Sequence, residues 1–396
     1  LNGGRDAHEP GDPVIPFNRP SLEGGELDNM FAAVAAGHIA SSGPFSARVT
    51  ESLRSALGAS DVLLTSSCTD ALELAALMLD LGPDDVVIVP SFTFVSTALA
   101  FARTGARIRF VDIEPETLGV DPERVAAALD HRVRAVVVVH YAGIGCDIDG
   151  VRAALADTPA VLVEDNAHGL FGTYRGSPLG SFGRFATLSF HETKNFVCGE
   201  GGALVLNDDE DIERAHVLLD KGTNRRSFLR GDVDHYSWVD TGSSFGMSDL
   251  LAAFLLAQLE AKDEVLRKRR AIFEKYSSLL EPYEEELGIR CMRVPDDRRP
   301  AYHMFYVLLP SRHLRDRVLE SLTRAGIQAV FHYVPLHSSP AAARFSDAPA
   351  ECPVTDDISS RLVRLPFYNA LTPTDVEHVV DQFVQAVHTA MDIADA

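Results

Sequence analysis

VLVEDNAHG (161–169) and TLSFHETKN (187–195) are the two stretches that decide how this 396-residue chain folds and where its chemistry sits. Each is a short apolar run that ends in a polar turn. An unbroken apolar run reads as a strand covered on both faces, because a strand with one wet face alternates apolar and polar residues. The same pattern recurs on either side, giving strands at 62–65 (VLLT), 86–89 (VVIV), 108–112 (IRFVD), 135–140 (AVVVVH), 161–165 (VLVED), 186–190 (ATLSF) and 203–206 (ALVL). Amphipathic stretches at 69–81, 95–104, 122–129 and 208–220 lie between them and read as helices. Strand-helix-strand repetition predicts an α/β domain with a mainly parallel sheet.

Further along, SDLLAAFLLAQLEAKDEVLRKRRAIFEKYSSLL reads as one long helix opened by Ser248 as N-cap, with Leu251, Leu255 and Leu259 along one face. Beyond about Glu281 the pattern changes to a smaller α+β unit. Strands at 304–309 and 328–333 flank a helix near 312–325, and a terminal helix occupies 374–390. The domain reading is a flexible lead-in over 1–14, a large domain over 15–270 and a small one over 271–396.

Composition narrows the function. A net charge of −21 opposes a nucleic-acid partner, which needs a basic face. The five cysteines (Cys68, Cys146, Cys198, Cys291, Cys352) are scattered without a CxxC pair, so neither a disulfide framework nor a metal site is expected. No apolar run approaches the ~20 residues that span a bilayer, and LNGGRDAHEPGDP lacks the apolar centre of a signal peptide. A cytoplasmic protein is the expectation.

In open α/β sheets ligands collect at the carboxyl ends of strands. Asp165 and Lys194, on neighbouring strand ends, therefore face one small molecule. Pyridoxal 5'-phosphate needs such a pair: a lysine to bond its aldehyde, and an acid to keep its pyridine nitrogen protonated. Asp165 is assigned to the nitrogen and Lys194 to the covalent link, with the freed amine then shuttling a proton. Either residue alone reads as a helix cap or a solvated turn; the pair carries the argument. In TSSCTDALELAALML (65–79), helix-start amides with the Ser67 and Thr69 hydroxyls make a phosphate cup, and Ser189 adds a hydroxyl. Phe94, in PSFTF (90–94), offers a face for the ring. KGTNRRSFLRG (221–231) gathers Lys221, Arg225, Arg226 and Arg230, either as a diphosphate grip or as a solvated loop. FHYVPLH (331–337) offers His332, Tyr333 and His337, for a sugar or for a packed turn.

Taken together, SCTDAL, PSFTFVST, VEDNAH, SFHETKN, GEGGAL and FHYVPLH resemble the DegT/DnrJ/EryC1/StrS family of pyridoxal-phosphate-dependent nucleotide-sugar aminotransferases. SFHETKN followed by EGGA, KGTNR, WVDTGSS and HMFYVLL is similar to its dTDP-4-amino-4,6-dideoxygalactose transaminase branch. The likeness runs from about Ile15 to the terminal helix. It implies the aspartate-aminotransferase fold (fold type I), a large domain with a smaller C-terminal one, working as a homodimer with active sites at the interface. Matched residue by residue, Lys194 falls at the cofactor lysine, Asp165 at the pyridine-nitrogen acid and Phe94 at the stacking aromatic. Cys68, Thr69 and Ser189 fall at phosphate contacts, and His168 near the cofactor's phenolic oxygen. Many members also supply a partner-subunit Asn to the phosphate. In GSSFGMSD (242–249) Gly246 stands at that place, with Ser243 or Ser244 as substitutes.

The implied reaction takes an amino group from L-glutamate, through pyridoxamine 5'-phosphate, to C4 of dTDP-4-dehydro-6-deoxy-D-glucose, with galacto or gluco product. Amination at C3, or of a UDP sugar, is the near alternative. A sugar 3-dehydrase of the same superfamily carries His at the lysine position, which Lys194 opposes. A cofactor-binding regulator would need a DNA-binding module, and the residues before the first strand show no helix-turn-helix pattern.

Overall fold

The apolar runs assemble into one seven-stranded sheet in the computed structural model, which describes residues 15–394; the lead-in expected over 1–14 lies outside the described residues. Its strands are β1 (Asp61–Thr65), β2 (Val86–Pro90), β3 (Arg107–Val111), β4 (Val133–Val139) and β5 (Val161–Asp165), then, after a short hairpin of β6 (Thr173–Tyr174) and β7 (Ser177–Pro178), β8 (Phe185–Ser189) and β9 (Gly202–Leu206). The order across the sheet is β1-β9-β8-β5-β4-β2-β3. Only β9 runs against its sheet neighbours, so the sheet is mainly parallel. Helices cover both faces, which is why the strands carry apolar residues at successive positions. Along β9, Ala203 and Val205 pack with α2 (Pro44–Leu57) on one side, while Leu204 and Leu206 pack with α3 (Cys68–Met78) on the other. The α2 helix, unread in the sequence, starts with Pro44 at its first turn and ends at Gly58 in the left-handed conformation.

The second unit has its own core. A small sheet ordered β10 (Arg290–Cys291), β12 (Tyr306–Leu308) and β13 (Leu362–Arg364) packs Val307 and Val363 against Leu314, Val318 and Leu322 of the helix Arg312–Arg324. Val379 and Phe383 of the terminal helix Pro373–Ala394 close the same core. Ile15 packs there too, beside Ile327. Strand β11 (Arg298–Arg299) instead extends the hairpin of the first unit.

Two expectations need correction. The long helix is two, Asp249–Glu260 and Lys262–Leu280, broken at Ala261, where the backbone leaves helical angles. No strand forms over 328–333. That stretch touches the small sheet at one bridge, Val330 to Arg364, then leaves it. Phe331 and Val334 are exposed, Pro335 follows with no amide to donate, and β13 takes the place beside β12.

One buried carboxylate holds the sheet edge that matters most. Glu164, wholly buried, accepts the amides of Gly180 (2.8 Å), Phe182 (2.7 Å) and Gly183 (2.7 Å). His140, equally buried, donates from Nε2 at 2.9 Å, because its Nδ1 accepts the Cys146 amide at 3.3 Å. Burial alone would raise the pKa of Glu164, but these donors outweigh it and hold the carboxyl below its usual 4.5. Removing it leaves four donors unpaired. Glu164→Ala should lose about 3–5 kcal/mol in urea unfolding. Because the folded-state pKa is depressed, the wild-type advantage should be full above the unfolded pKa of about 4.3 and shrink as pH falls through the lower folded value.

Candidate active site

Asp165 is the last residue of β5, and Lys194 lies in the turns that follow β8. These neighbouring strand ends open into one cavity of about 680 Å³, a size that suits a small-molecule ligand. The same cavity is lined by Cys68 and Thr69 from the start of α3, Phe94 ahead of the helix Val95–Ala102, His168, Ser189, and His332 with Tyr333 from the irregular 328–333 stretch. Residues picked from six places in the sequence thus meet in one hollow.

The cup at one end is built by close approach. Ser67 caps α3, accepting the Asp70 amide at 3.0 Å, and Thr69 shares a 2.7 Å hydrogen bond with Ser96. Gly202 passes so close that a Cβ there would lie 2.4 Å from the Cys68 amide nitrogen, so only glycine fits. Burial pushes the Cys68 thiol up to about 12, which keeps it a neutral neighbour rather than a thiolate.

At the other end both oxygens of Asp165 are spoken for. Thr97 donates to Oδ2 at 2.7 Å, is itself paired with Thr93 at 2.8 Å, and the Ala167 amide donates to Oδ1 at 3.2 Å. Burial still raises its pKa, because the cavity holds a carboxylate without water. A cationic ring nitrogen beside it would cancel that cost. Lys194 is shifted the other way: burial lowers its amine to about 8. Burial also holds His168, His303 and His332 well below the usual 6.5, so the cavity wall is neutral imidazole at pH 7. His168 stacks on His303 with centroids 4.2 Å apart, and its Nδ1 has no partner among the described residues. A helix-start cup, an acid facing a buried lysine and an unpaired imidazole nitrogen fit the phosphate, pyridine nitrogen and phenolic oxygen of pyridoxal phosphate.

Sequence reasoning gave no role to Phe17, His303 and Arg364 in the wall, nor to Thr97, which is buried behind Asp165. Thr97 stands in the quoted PSFTFVST, and HMFYVLL begins with His303, yet nothing in either spacing shows what the side chain touches. Arg364 ends β13, which was itself unread.

Three candidates are not brought to the cavity. The ring of His337 is turned away, held by Ser91 Oγ at 2.7 Å and lying 3.6 Å from Asp356, so it is a packed turn residue. Arg230 is engaged by Glu213 at 2.8 Å and Asp232 at 2.7 Å. Arg225, 3.6 Å from Asp220, lines with Lys221 and Arg226 a separate hollow of about 300 Å³. Ser244 and Gly246 border that second hollow too. Within one chain, the basic segment and the lysine cavity share no wall.

A large α/β unit with this sheet order, an acid and a lysine on adjacent strand ends and a helix-start cup defines a pyridoxal-phosphate-dependent aminotransferase. Comparison with known proteins agrees: residues 21–384 match the DegT/DnrJ/EryC1/StrS aminotransferase family, and the chain belongs to that family, whose members use pyridoxal phosphate and include sugar aminotransferases. It is 30% identical over 375 residues to the spore coat polysaccharide biosynthesis protein SpsC of Bacillus subtilis, covering 93% of this chain and 95% of that one. Among solved structures it is similar to the aminotransferase TlmJ from Streptoalloteichus hindustanus (29% identity, TM-score 0.88, covering 95% of this chain and 100% of that one). It is likewise similar to the sugar aminotransferase CalS13 from Micromonospora echinospora (29% identity, TM-score 0.85, 94% and 100%). Among the described residues no helix is long and apolar enough to cross a membrane, and no cluster of three or more His, Cys, Asp or Glu is placed to hold a metal ion.

Adding pyridoxal phosphate to cofactor-free protein, then reducing with borohydride, should place the pyridoxyl group on Lys194 in peptide mass mapping. Only the neutral amine attacks an aldehyde, so the attachment rate should rise with pH through about 8. Label on Lys221, or a rate that rises only near the ordinary lysine value of 10.5, would contradict the site.

Proposed function

We propose that this enzyme moves an amino group from L-glutamate to C4 of dTDP-4-dehydro-6-deoxy-D-glucose, giving a 4-amino-4,6-dideoxyhexose of galacto or gluco configuration. The observation that carries amino transfer is the convergence of Lys194 and Asp165 on one cavity. What favours C4 and a dTDP sugar over C3 or a UDP sugar is the run of SFHETKN, KGTNR, WVDTGSS and HMFYVLL. A relative named for polysaccharide biosynthesis agrees with a sugar substrate.

When bound, the cofactor supplies an electron sink for a carbanion and carries the amino group between the two substrates. The protein's residues do the rest. Asp165, held by Thr97 and the Ala167 amide, faces the pyridine nitrogen as an anion and keeps it protonated. Lys194 would hold the cofactor covalently, and its free amine would be the base that takes the proton from the substrate carbon. An amine near 8 is suited to both directions at neutral pH. His168 offers its free Nδ1 to the phenolic oxygen, Phe94 lies against the ring, and Cys68, Thr69 and Ser189 hold the phosphate. His332 and Tyr333, on the opposite wall, meet the sugar.

The working unit in this reading is a cytoplasmic homodimer in which the basic segment of one subunit serves the cavity of the other, where pyridoxal and pyridoxamine phosphate alternate. Large apolar side chains left in solvent support it. Leu229 is 68% exposed on that segment and Trp238, shortly after it, 82%, while Phe94 and Phe331 are exposed beside the cavity.

The product formed from the 4-keto sugar nucleotide and glutamate, read by NMR, tests the reaction: an amine on C3, or no amination, overturns it. Light scattering should report a dimer or a multiple of one. Arg225→Ala should raise the KM for the dTDP sugar about tenfold while leaving the glutamate half-reaction near wild type. Arg230→Ala should change it less, since Arg230 must first release Glu213 and Asp232. Normal sugar binding in both variants would make the segment a solvated loop, and loss of cofactor would assign it to the phosphate.

A further inference from the structure

Among the described residues Arg364 is the one arginine that lines the cavity, and the proposed roles leave it unexplained. Its backbone is fixed by two bonds with Val330, of 2.7 and 3.1 Å, at the end of β13. Its guanidinium lies 4.5 Å from the centre of the Phe17 ring. Nε is fully enclosed and has no hydrogen-bond partner among the described residues. No described carboxylate stands against it; the groups that favour its charge are the phenols of Tyr141 and Tyr333. Burial lowers its pKa from 12.5. Arg269, itself 2% exposed, shows what a purely structural buried arginine looks like. Arg269 gives Nε to the Tyr302 carbonyl (2.8 Å), one terminal nitrogen to the His303 carbonyl (2.6 Å) and the other to Asn369 (2.9 Å). An arginine held in an apolar, aromatic wall with its donors unspent is a receptor for an anion, because desolvating it otherwise costs several kcal/mol with no return.

We infer that Arg364 binds the α-carboxylate of the amino-acid donor. This rests on the aminotransferase reading and names the residue that selects its donor. Chemistry decides which anion it is. In an α-amino acid the carboxylate is bonded to the carbon that bears the reacting amine, so it must sit close to wherever that amine reacts. Arg364 lines the same cavity as Lys194, near enough for its charge to disfavour protonation of the amine. The sugar nucleotide's diphosphate hangs from C1, across the hexose ring from the reacting C4, and so lies farther from the lysine. Asp165 is committed to the ring nitrogen and the neighbouring histidines are neutral, which leaves Arg364 as the wall's remaining fixed positive charge. Its planar fork matches a carboxylate with two parallel bonds.

The test compares wild-type holoenzyme with Arg364→Gln and Arg364→Lys. Three quantities are measured: cofactor content, half-saturation of the amino-acid half-reaction by cofactor absorbance, and binding of dTDP by calorimetry. L-glutamate and L-glutamine are the donors, since glutamine keeps only the α-carboxylate. Arg364→Gln should raise the half-saturating concentration of both about ten- to hundredfold, with cofactor content and dTDP affinity unchanged. Arg364→Lys should recover part of the loss. Weakened glutamate with unchanged glutamine would assign Arg364 to the side-chain carboxylate and overturn the inference. Weakened dTDP binding with normal donors would assign it to the diphosphate and overturn it equally. Unchanged binding of all three would leave it a structural cation, and loss of cofactor in both variants would place it in the cofactor's own support. The donor half-reaction needs no sugar, so it decides the role of Arg364 even if the dTDP sugar proves not to be the acceptor.

Discussion

Two consecutive carboxylates at the end of β5 set the geometry on which the rest depends. Neighbours on a strand point to opposite faces, so Glu164 is driven into the protein while Asp165 turns to the cavity. Glu164 is fully paired, by three amides of the 180–183 turn and by His140. It ties β5 to the segment that leads into β8, the strand from which Lys194 hangs. Asp165 is held by only two donors and retains room for a cationic partner. The spacing between acid and lysine is therefore fixed from behind, by a residue that does not touch the cavity.

The electrostatics of the cavity follow from burial more than from pairing. The imidazoles of His168, His303 and His332 are neutral because the wall excludes water, and Lys194 is made a weaker base by the same exclusion. The cavity thus keeps few permanent charges in a chain that carries −21 overall. Such a site is sensitive to each charge brought in. In the proposed reading a phosphate would go to the amides at the start of α3 and a ring cation to Asp165, and these two anchor points would orient what lies between them.

Much of this was legible in the sequence. Strands buried on both faces need unbroken apolar runs, so each of the seven sheet strands shows itself within a residue or two of its observed bounds. Asp165, Lys194, Cys68, Thr69 and Ser189 were legible because strand ends and helix starts are where an α/β sheet exposes polar groups. What the sequence hid depends on long-range contact. The 328–333 stretch is apolar enough to be a strand, but its neighbour on the small sheet is β13, and beyond a single bridge His332 and Tyr333 turn to line the cavity, with His332 Nδ1 hydrogen-bonded to the buried Tyr141 hydroxyl at 2.9 Å. His337 is two turns of chain away from them and is captured by Ser91 instead. Thr97 and Arg364 carry no local signal at all: one gains its meaning from Asp165, sixty-eight positions on, the other from the cavity it lines.

The basic segment shows how a sequence motif can be real and yet be in the wrong place. Its arginines cluster as the composition suggests, but each that lies within reach of an acid has taken one: Arg230 with Glu213 and Asp232, Arg225 with Asp220, Lys221 with Asp220. Exposed pairs of this kind contribute little to stability, so exchanging Asp220 for the diphosphate of the proposed substrate would cost little and bring two negative charges. Leu229 of the segment, with Tyr236 and Trp238 shortly after it, is left in solvent. A cation cluster loosely held beside an uncovered apolar strip is the surface that the proposed dimer would bury.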